Sequence, residues 1–407
     1  MHNFRGRSVA VVISALASVS FPAQADEVPA PVQELRRHML DADVNALFFH
    51  NMDELFDTRV VTRAGPVSPL LREDAAPPGL KFEGKAYSYD QFAEATYTNA
   101  FLVIRDGKIV FEDYRNNTHA DMRFIGFSMS KSITSMLIGI AIEHGDIKSV
   151  DDLAVEYAPE LRGSGYDGVT IRQILEMRSG VDYEERYDFG ENPSLAANIH
   201  ENAIVQNKER FADRAQTIKR KVEPGSRFNY ATLDTAVLGR VLEGATGQAI
   251  SKFMSEHLWE PAGMEYSGFW IADGPPGVGR ELNGMGYNAT LRDFGRLGLL
   301  MLNDGKLGDR QIVPEAWVRA STKMKPIEGG EFAGPHSAYG YQWWKLDDRA
   351  GSFIAVGLQG QFIYVDPRSK TVIVKLSYFP PDAPEEITDM TVAYFNAIIG
   401  WSPAQPR

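Results

Sequence analysis

The chain has 407 residues, 44% of them hydrophobic and 24% charged, which is the composition of a globular protein long enough for a large core. Its formal net charge is −12 and no basic run exceeds the short "KRK" at 219–221, so we expect no nucleic-acid partner. The chain contains no cysteine, which excludes disulfides, thiolate nucleophiles and thiolate metal sites.

The first 25 residues have the pattern of a secretory signal peptide. Two arginines in "MHNFRGR" precede the apolar run "SVAVVISALASVSF", and "PAQA" ends in a small-x-small pattern at Ala23 and Ala25. We expect cleavage between Ala25 and Asp26. The apolar run is shorter than the roughly 20 residues of a membrane-spanning helix. The sequence therefore predicts an exported, periplasmic protein without a stable membrane anchor.

An N-terminal extension, 26–95, follows the signal peptide. Its first part is expected to be partly helical, and 63–80 is rich in Pro and Gly and is expected to be an irregular connection. Residues 99–115 alternate apolar and polar side chains on both sides of Asp106-Gly107, which predicts a β-hairpin. An apolar helix is expected after residue 128, with Gly145 at its end.

Residues 151–299 are expected to be mainly helical. Three β-rich runs then occupy 352–378, and a last helix closes the chain. Strands from distant segments indicate one antiparallel sheet flanked by helices, with an all-helical insertion, in the α/β (α+β) class. The sheet would be formed by 96–150 and 300–400 of a single domain.

Ser128 and Lys131 stand three residues apart in "FSMSKSITSMLIGI". Positions i and i+3 share a helix face about 5–6 Å apart at Cβ, so the hydroxyl would lie beside the amine. A helix N-terminus favours an oxyanion, and a desolvated lysine can accept the serine proton. Both residues also fit an ordinary polar helix start. The pair by itself leaves both interpretations open.

Two further segments contain candidate groups. Tyr230 precedes the apolar helix of "FNYATLDTAVLGRVLEGATG", where its phenol becomes a usable base only near a cation such as Lys131. In "GLQGQF" (357–362) the glycines permit close approach of the backbone, and the N–H after Gly360 can pair with that of Ser128 as an oxyanion hole. A half-buried tyrosine and a tight bend are the alternatives.

The order S-x-x-K, Y-x-[N/S/T] and a Gly-containing strand motif resembles the penicillin-recognising serine hydrolases, in their class C β-lactamase-related branch. The phrases "VTIRQILEMRSGVDYEERY", "NGMGYNATLRDFGRLG" and "YGYQWW" add to the resemblance, which covers about 95–400. Within the family the chain is most similar to 6-aminohexanoate-dimer hydrolases, which cleave a linear amide and also handle carboxylic esters. The resemblance implies a β-lactamase/transpeptidase-like fold.

The resemblance also implies roles for single residues. Ser128 would be the acylated nucleophile, Lys131 would tune Ser128 and the phenol, and Tyr230 would carry the proton to the leaving group. The backbone N–H groups of Ser128 and Gln361 would hold the oxyanion. The implied substrate-binding residues are Tyr187, Thr232 and Gly360.

Two departures from the β-lactamase pattern bear on the substrate. Thr232 stands where β-lactamases carry Asn, and Leu358-Gln359-Gly360 stands in place of Lys-Thr-Gly, so the cation that grips a penicillin carboxylate is absent. Lys370-Thr371 is not a substitute, because Val372 follows where Gly is needed. These changes favour an ester or a linear amide as the small-molecule substrate.

Other functions remain as alternatives or are excluded. A β-lactamase or D-alanyl-D-alanine peptidase, and a non-catalytic ligand-binding or sensor module of the same fold, are the alternatives. The Gly-x-Ser-x-Gly elbow of α/β-hydrolases is missing, since Ser128 lies in "GFSMS". None of the eight histidines forms a close ligand pair in the sequence, so we expect neither a metal nor a cofactor. The sequence carries no signal for an oligomeric state.

Overall fold

The computed structural model describes residues 28–402. The predicted signal peptide and its cleavage site after Ala25 lie outside the described residues. Within 28–402, no helix is long and apolar enough to cross a membrane.

The helices and strands of this part of the chain are labelled in chain order. The α-helices are α1 (Ala30–His38), α2 (Asn45–Phe48), α3 (Tyr89–Ala95), α4 (Met129–His144), α5 (Ala154–Tyr157), α6 (Ile171–Leu175), α7 (Leu195–Ile199), α8 (Thr232–Thr246), α9 (Ile250–Met254), α10 (Leu291–Leu302), α11 (Glu315–Ser321) and α12 (Glu385–Gly400). The strands are β1 (Thr58–Val61), β2 (Leu71–Arg72), β3 (Leu80–Phe82), β4 (Lys85–Tyr87), β5 (Thr98–Arg105), β6 (Lys108–Tyr114), β7 (Phe124–Ile125), β8 (Gly268–Ile271), β9 (Tyr287–Ala289), β10 (Lys306–Leu307), β11 (Arg310–Gln311), β12 (Lys325–Pro326), β13 (Ala338–Tyr339), β14 (Trp344–Lys345), β15 (Phe353–Gly357), β16 (Gln361–Asp366) and β17 (Thr371–Ser377).

The main sheet joins distant parts of the chain. Its nine strands follow the order β12-β13-β14-β15-β16-β17-β5-β6-β2. The β17–β5 pair connects the C-terminal strands to the predicted hairpin of β5 and β6, and both pairs are antiparallel. Only β2 on β6 is a parallel pair among the described strands of this sheet. The fold class expected from the sequence is confirmed.

The two faces of the sheet carry different helices because side chains alternate along each strand. On β5, Leu102 and Ile104 face α10, where a Cβ on Gly295 would lie 2.7 Å from Leu102 Cδ2. Phe101 points to the other face, and its ring centroid lies 5.8 Å from that of Tyr394 on α12. The sheet is thus buried between helices on both sides.

A second, smaller sheet includes β7, the last strand before Ser128. Its strand order is β1-β8-β9-β7, so two of its strands come from 151–299. This segment is therefore not wholly helical. The run "GFWI" of β8 is four residues long, and periodicity cannot distinguish so short an apolar run in a strand from one in a helix.

The N-terminal extension is fastened to the domain by Arg36 of α1. Its side chain is 3% exposed, and its guanidinium carbon lies 4.4 Å from the centroid of the Phe56 ring. The guanidinium donates to the backbone oxygens of Leu55, Ile204 and Val205 and to Asn207 Oδ1. Because these acceptors belong to separate segments, one side chain holds three pieces of chain together.

Replacing Arg36 with Met should lower the free energy of unfolding by about 2–4 kcal/mol, because four buried acceptors lose their donor. Arg37→Met is the matched control, since Arg37 is a partly exposed neighbour that pairs with Glu201. Its loss should stay below about 1 kcal/mol. Urea unfolding followed by tryptophan fluorescence measures both values. Equal losses from the two variants would contradict the anchoring role of Arg36.

Candidate active site

Ser128 sits on a tight turn between β7 and α4. Strand β7 pairs with β9, and the N–H of Gly126 donates to Tyr287 O at 2.8 Å. Phe127 then adopts a φ of 42°, which is uncommon for a residue other than glycine and is typical of strained functional turns. Ser128 is the N-cap of α4. The sequence prediction of a serine at the start of this helix is confirmed.

Lys131 is the buried centre of the site, with 1% of its surface exposed. Its Nζ donates to Ser128 Oγ at 3.0 Å, to Thr232 Oγ1 at 3.0 Å and to Gly284 O at 2.8 Å. Burial lowers the pKa of Lys131 to about 8, and the negative charge of Glu185 acts in the opposite direction. About one tenth of this amine is therefore neutral at pH 7, far more than for an ordinary lysine, and the neutral form can accept a proton from Ser128.

Tyr230 reaches the same point from the segment before α8. The Nζ of Lys131 lies 5.0 Å from the centroid of its ring, and Ser128 is among the groups that act on its phenol. Burial raises the pKa of Tyr230, Ser128 lowers it, and the negative charge of Glu185 raises it again. The ring packs on Trp344 at 5.3 Å between centroids. At neutral pH the phenol therefore keeps its proton and can donate it.

Glu185 belongs to the site and was missed by the sequence analysis. Its Oε2 accepts from the N–H of Thr232 at 2.5 Å and its Oε1 from Thr232 Oγ1 at 2.9 Å. It thereby caps α8, whose own N-cap residue Ala231 offers no side-chain acceptor. Nothing in "DYEERY" distinguishes it from Glu184, which instead binds Lys221 at 3.0 Å. The different roles of Glu184 and Glu185 are visible only in the folded structure.

Tyr187 lies at the rim of the site. Its hydroxyl donates to Glu185, its ring stacks on Phe189 at 6.3 Å between centroids, and 39% of its surface is exposed. Thr232 is buried, and its hydroxyl links Lys131 to Glu185. Both residues therefore donate a hydrogen bond to the carboxylate of Glu185. Their predicted binding of substrate stays a prediction.

The hairpin of β15 and β16 reaches the turn that carries Ser128. Gly357 at the end of β15 is in register with Gln361 at the start of β16. A Cβ on Gly357 would lie 2.2 Å from the carbonyl oxygen of Gly126, so only glycine permits this approach. The first residue of β16 is thus brought to the neighbourhood of Ser128.

Gly360 is a steric requirement of the same hairpin. Its φ is 89°, and a Cβ would lie 2.5 Å from the ring of Phe379. Both the backbone conformation and the space therefore demand glycine. Its predicted contact with substrate stays a prediction.

The site combines an alcohol, an amine and a phenol, as the sequence analysis predicted. Lys131 can take a proton, Tyr230 can give one, and Ser128 lies at a helix N-terminus where negative charge is stabilised. Among residues 28–402, no group of three or more His, Asp or Glu side chains could hold a metal ion. The arrangement is suited to nucleophilic attack on a carbonyl carbon.

A family model and several known proteins match this chain over much of its length. A protein-family model described as beta-lactamase matches residues 90–394. The 6-aminohexanoate-dimer hydrolase of Paenarthrobacter ureafaciens is 31% identical over 364 residues, which are 84% of this chain and 88% of that protein. The esterase EstB of Burkholderia gladioli is 25% identical over 269 residues, 55% of this chain and 67% of its own.

A solved structure from Bacillus anthracis, provisionally assigned as a 6-aminohexanoate-dimer hydrolase, has a TM-score of 0.78 to this chain. It is 24% identical and covers 89% of this chain and 95% of its own. At this level of identity the likeness concerns the fold.

A buried acid lies next to the site on α8. Asp234 is 0% exposed and follows Thr232 by two residues. Its Oδ1 accepts a hydrogen bond from Tyr166 at 2.7 Å, and its Oδ2 has no hydrogen-bond partner among the described residues. The pKa of Asp234 is raised to about 7, mainly by burial and in small part by Glu185, against the lowering effects of Ser179 and Tyr166. The folded state therefore binds this proton more tightly than the unfolded chain does.

Asp234→Asn should become more stable relative to the wild type as the pH rises from about 4 to about 7. Over this range the carboxyl is ionised in the unfolded chain, whose ordinary value is 3.8, but still protonated in the folded one. The accumulated difference is at most on the order of 4 kcal/mol. Urea unfolding of both proteins at several pH values measures it. A difference independent of pH would contradict the raised pKa.

Proposed function

Since the chain belongs to the beta-lactamase family of serine hydrolases, we propose that it cleaves an ester or a linear amide through an acyl-enzyme on Ser128. One observation carries the proposal: the buried amine of Lys131 is 3.0 Å from Ser128 Oγ, and its pKa is lowered to about 8. An amine in this state is a competent base for a serine hydroxyl near neutral pH.

Acylation begins when neutral Lys131 takes the proton of Ser128 and Oγ attacks the carbonyl carbon. The backbone N–H groups of Ser128 and Gln361 stabilise the negative charge that forms on the carbonyl oxygen. The phenol of Tyr230 gives its proton to the leaving oxygen or nitrogen as that bond breaks. The ammonium of Lys131 then returns a proton to the phenolate.

Deacylation follows the same route in reverse. Water attacks the acyl carbon, its proton passes to the pair formed by Tyr230 and Lys131, and Ser128 leaves with a proton from that pair. Burial lowers the pKa of the Lys131 amine and raises that of the Tyr230 phenol. This difference supports Lys131 as the proton acceptor and Tyr230 as the proton donor.

The position at which β-lactamases carry a lysine that binds the penicillin carboxylate holds Leu358 in this chain. This supports esters or linear amides over β-lactams as substrates. Leu358 occupies the position of the lysine, and 52% of its surface is exposed. Lys370 pairs with Asp106 at the far turn of the sheet, and Lys375 is buried in β17. The dimer hydrolase and the esterase among the relatives support the same substrate class. We also propose that the protein acts in the periplasm on a small molecule.

A panel of three substrates tests the proposal. Purified mature protein should hydrolyse a p-nitrophenyl ester and a linear 6-aminohexanoate dimer faster than a chromogenic cephalosporin. Ser128→Ala should abolish all turnover, because no other group in the site replaces the nucleophile. Product formation is followed by absorbance and by liquid chromatography.

The alternative functions give different results in the same panel. Rapid cephalosporin turnover with little ester cleavage would replace the proposal with a β-lactamase. A lasting adduct on Ser128, visible by mass and without released product, would indicate a ligand-binding or sensor module.

Glu185→Gln should move the acidic limb of the kcat/KM profile to lower pH. The carboxylate favours the charged form of Lys131, so its removal lowers the pKa of the amine further below the wild-type value of about 8. Glutamine can still accept a hydrogen bond from the N–H of Thr232, so the cap of α8 is kept in part. The profile is measured with the p-nitrophenyl ester.

Glu184→Gln is the matched control, because this adjacent acid binds Lys221 and is exposed. Its profile should coincide with that of the wild type. A midpoint that stays in place or rises in Glu185→Gln would show that the carboxylate does not act on Lys131.

A further inference from the structure

The side chain of Gln361 has no part in the steps above, yet it is 1% exposed and fully hydrogen-bonded. Its Oε1 accepts from the N–H of Ser377 at 3.1 Å. Its Nε2 donates to the carbonyl oxygens of Ser377 at 2.7 Å, Gln359 at 3.1 Å and Leu358 at 3.3 Å. One carboxamide therefore ties the end of β17 to the turn that precedes its own residue.

These bonds fix the orientation of the turn. Two successive carbonyl groups, of Leu358 and Gln359, point at the same nitrogen, so the peptide planes behind them cannot rotate freely. The N–H of Phe379 also donates to Gln359 O at 3.1 Å. The next peptide plane, between Gly360 and Gln361, carries the N–H assigned to the oxyanion hole. Its direction is set by the planes before it together with the φ of 89° at Gly360.

Lys375 supports the other end of the same network. It is 0% exposed, and its Nζ donates to Thr96 O at 2.7 Å and to Ser377 Oγ. The amine also lies 4.8 Å from the centroid of the Phe379 ring. Burial lowers the pKa of Lys375 well below its ordinary value, because these neighbours are neutral. A buried amine among neutral neighbours is a poor source of stability.

We infer that the side chain of Gln361, anchored through Ser377 by the amine of Lys375, positions the Gly360–Gln361 peptide so that its N–H meets the oxyanion formed by attack of Ser128. Gln361 and Lys375 are thus positioning residues for a donor that neither side chain supplies. This inference rests on the proposed function.

The expected effect is confined to the transition state. Removal of one oxyanion donor typically lowers kcat by about 10²–10³-fold, and a misdirected donor should lose part of that. Because the charge on the oxygen develops only during attack, binding of the uncharged substrate should change little. Loss of position therefore predicts a lower kcat at nearly constant KM.

Gln361→Met keeps the backbone N–H and a similar side-chain volume but removes all four side-chain hydrogen bonds. Hydrolysis of the p-nitrophenyl ester should show a kcat lower by about 10- to 100-fold and a KM within about threefold of the wild type. The assay is run well below the unfolding transition of each variant, which is determined for the same preparations. Mass labelling of Ser128 by the ester should slow by the same factor.

Lys375→Met distinguishes an effect on the position of the oxyanion donor from an effect on the stability of the fold. Methionine fits beside the aromatic rings and removes a buried amine that lacks a charged partner, which offsets the loss of the donor to Thr96 O and Ser377 Oγ, so the free energy of unfolding should stay close to that of the wild type. The kcat should nevertheless fall by about 3- to 10-fold, because Ser377 loses its lateral support. A variant that is as stable as the wild type but slower cannot be explained by a merely structural role.

Gln342→Met is the matched control. Gln342 is also 1% exposed, accepts from Thr235 Oγ1 at 2.7 Å and donates to Leu175 O at 2.9 Å. Its replacement should lower stability but leave kcat within about threefold, since these bonds do not reach the hairpin turn.

Several results would overturn the inference. These are an unchanged kcat in Gln361→Met, a KM that rises in proportion to the loss of kcat, an equal loss of kcat in Gln342→Met, and an unchanged kcat in Lys375→Met. Failure of the proposed function looks different. In that case the wild type and Ser128→Ala would hydrolyse the ester at the same rate.

Discussion

The hydrogen bond between the amine of Lys131 and the hydroxyl of Ser128 is the interaction on which the proposed chemistry depends. An exposed lysine would be charged at neutral pH and could not take the serine proton. Burial changes this, since it lowers the pKa of Lys131 to about 8. The other two partners of the amine, Thr232 and Gly284, come from separate segments. The reactive state of the lysine therefore exists only in the folded protein.

The negative charge of Glu185 affects the protonation of both Lys131 and Tyr230. Glu185 caps α8 and, through its negative charge, opposes the loss of the proton from Lys131 and from Tyr230. It thus limits how far burial can lower the pKa of the amine, and it helps to keep the phenol protonated. The result is a pair in which one group is ready to accept a proton and the other to donate one. Such a pair is what acyl transfer near neutral pH requires.

Much of the fold follows from short-range patterns in the sequence. The alternation around Asp106-Gly107 predicted the hairpin of β5 and β6, and the runs within 352–378 predicted β15, β16 and β17, because strand periodicity and turn residues are local properties. The spacing of Ser128 and Lys131 predicted their contact for the same reason. The predicted approach of Tyr230 depended instead on the resemblance to a family.

The features that were missed depend on tertiary contacts. Glu185 is one of several acids in its segment and gains its role only because the N-terminus of α8 arrives beside it. The carboxamide of Gln361 looks like an ordinary polar side chain until β17 is placed next to its turn. Strands β8 and β9 lie in a segment expected to be helical, where the apolar runs are too short for periodicity to decide. In each case the information lies in segments far apart in the chain.

The pH dependence of acylation at Ser128 tests the central claim most directly. The protein is mixed with an excess of p-nitrophenyl ester at pH values from about 6 to 10, quenched within the first turnover and analysed by intact mass and peptide mapping. We expect one acyl group per chain, located on Ser128, with a rate that rises with pH and is half-maximal near the Lys131 pKa of about 8. An acyl group on another residue, or a rate at Ser128 that does not change over this range, would contradict it.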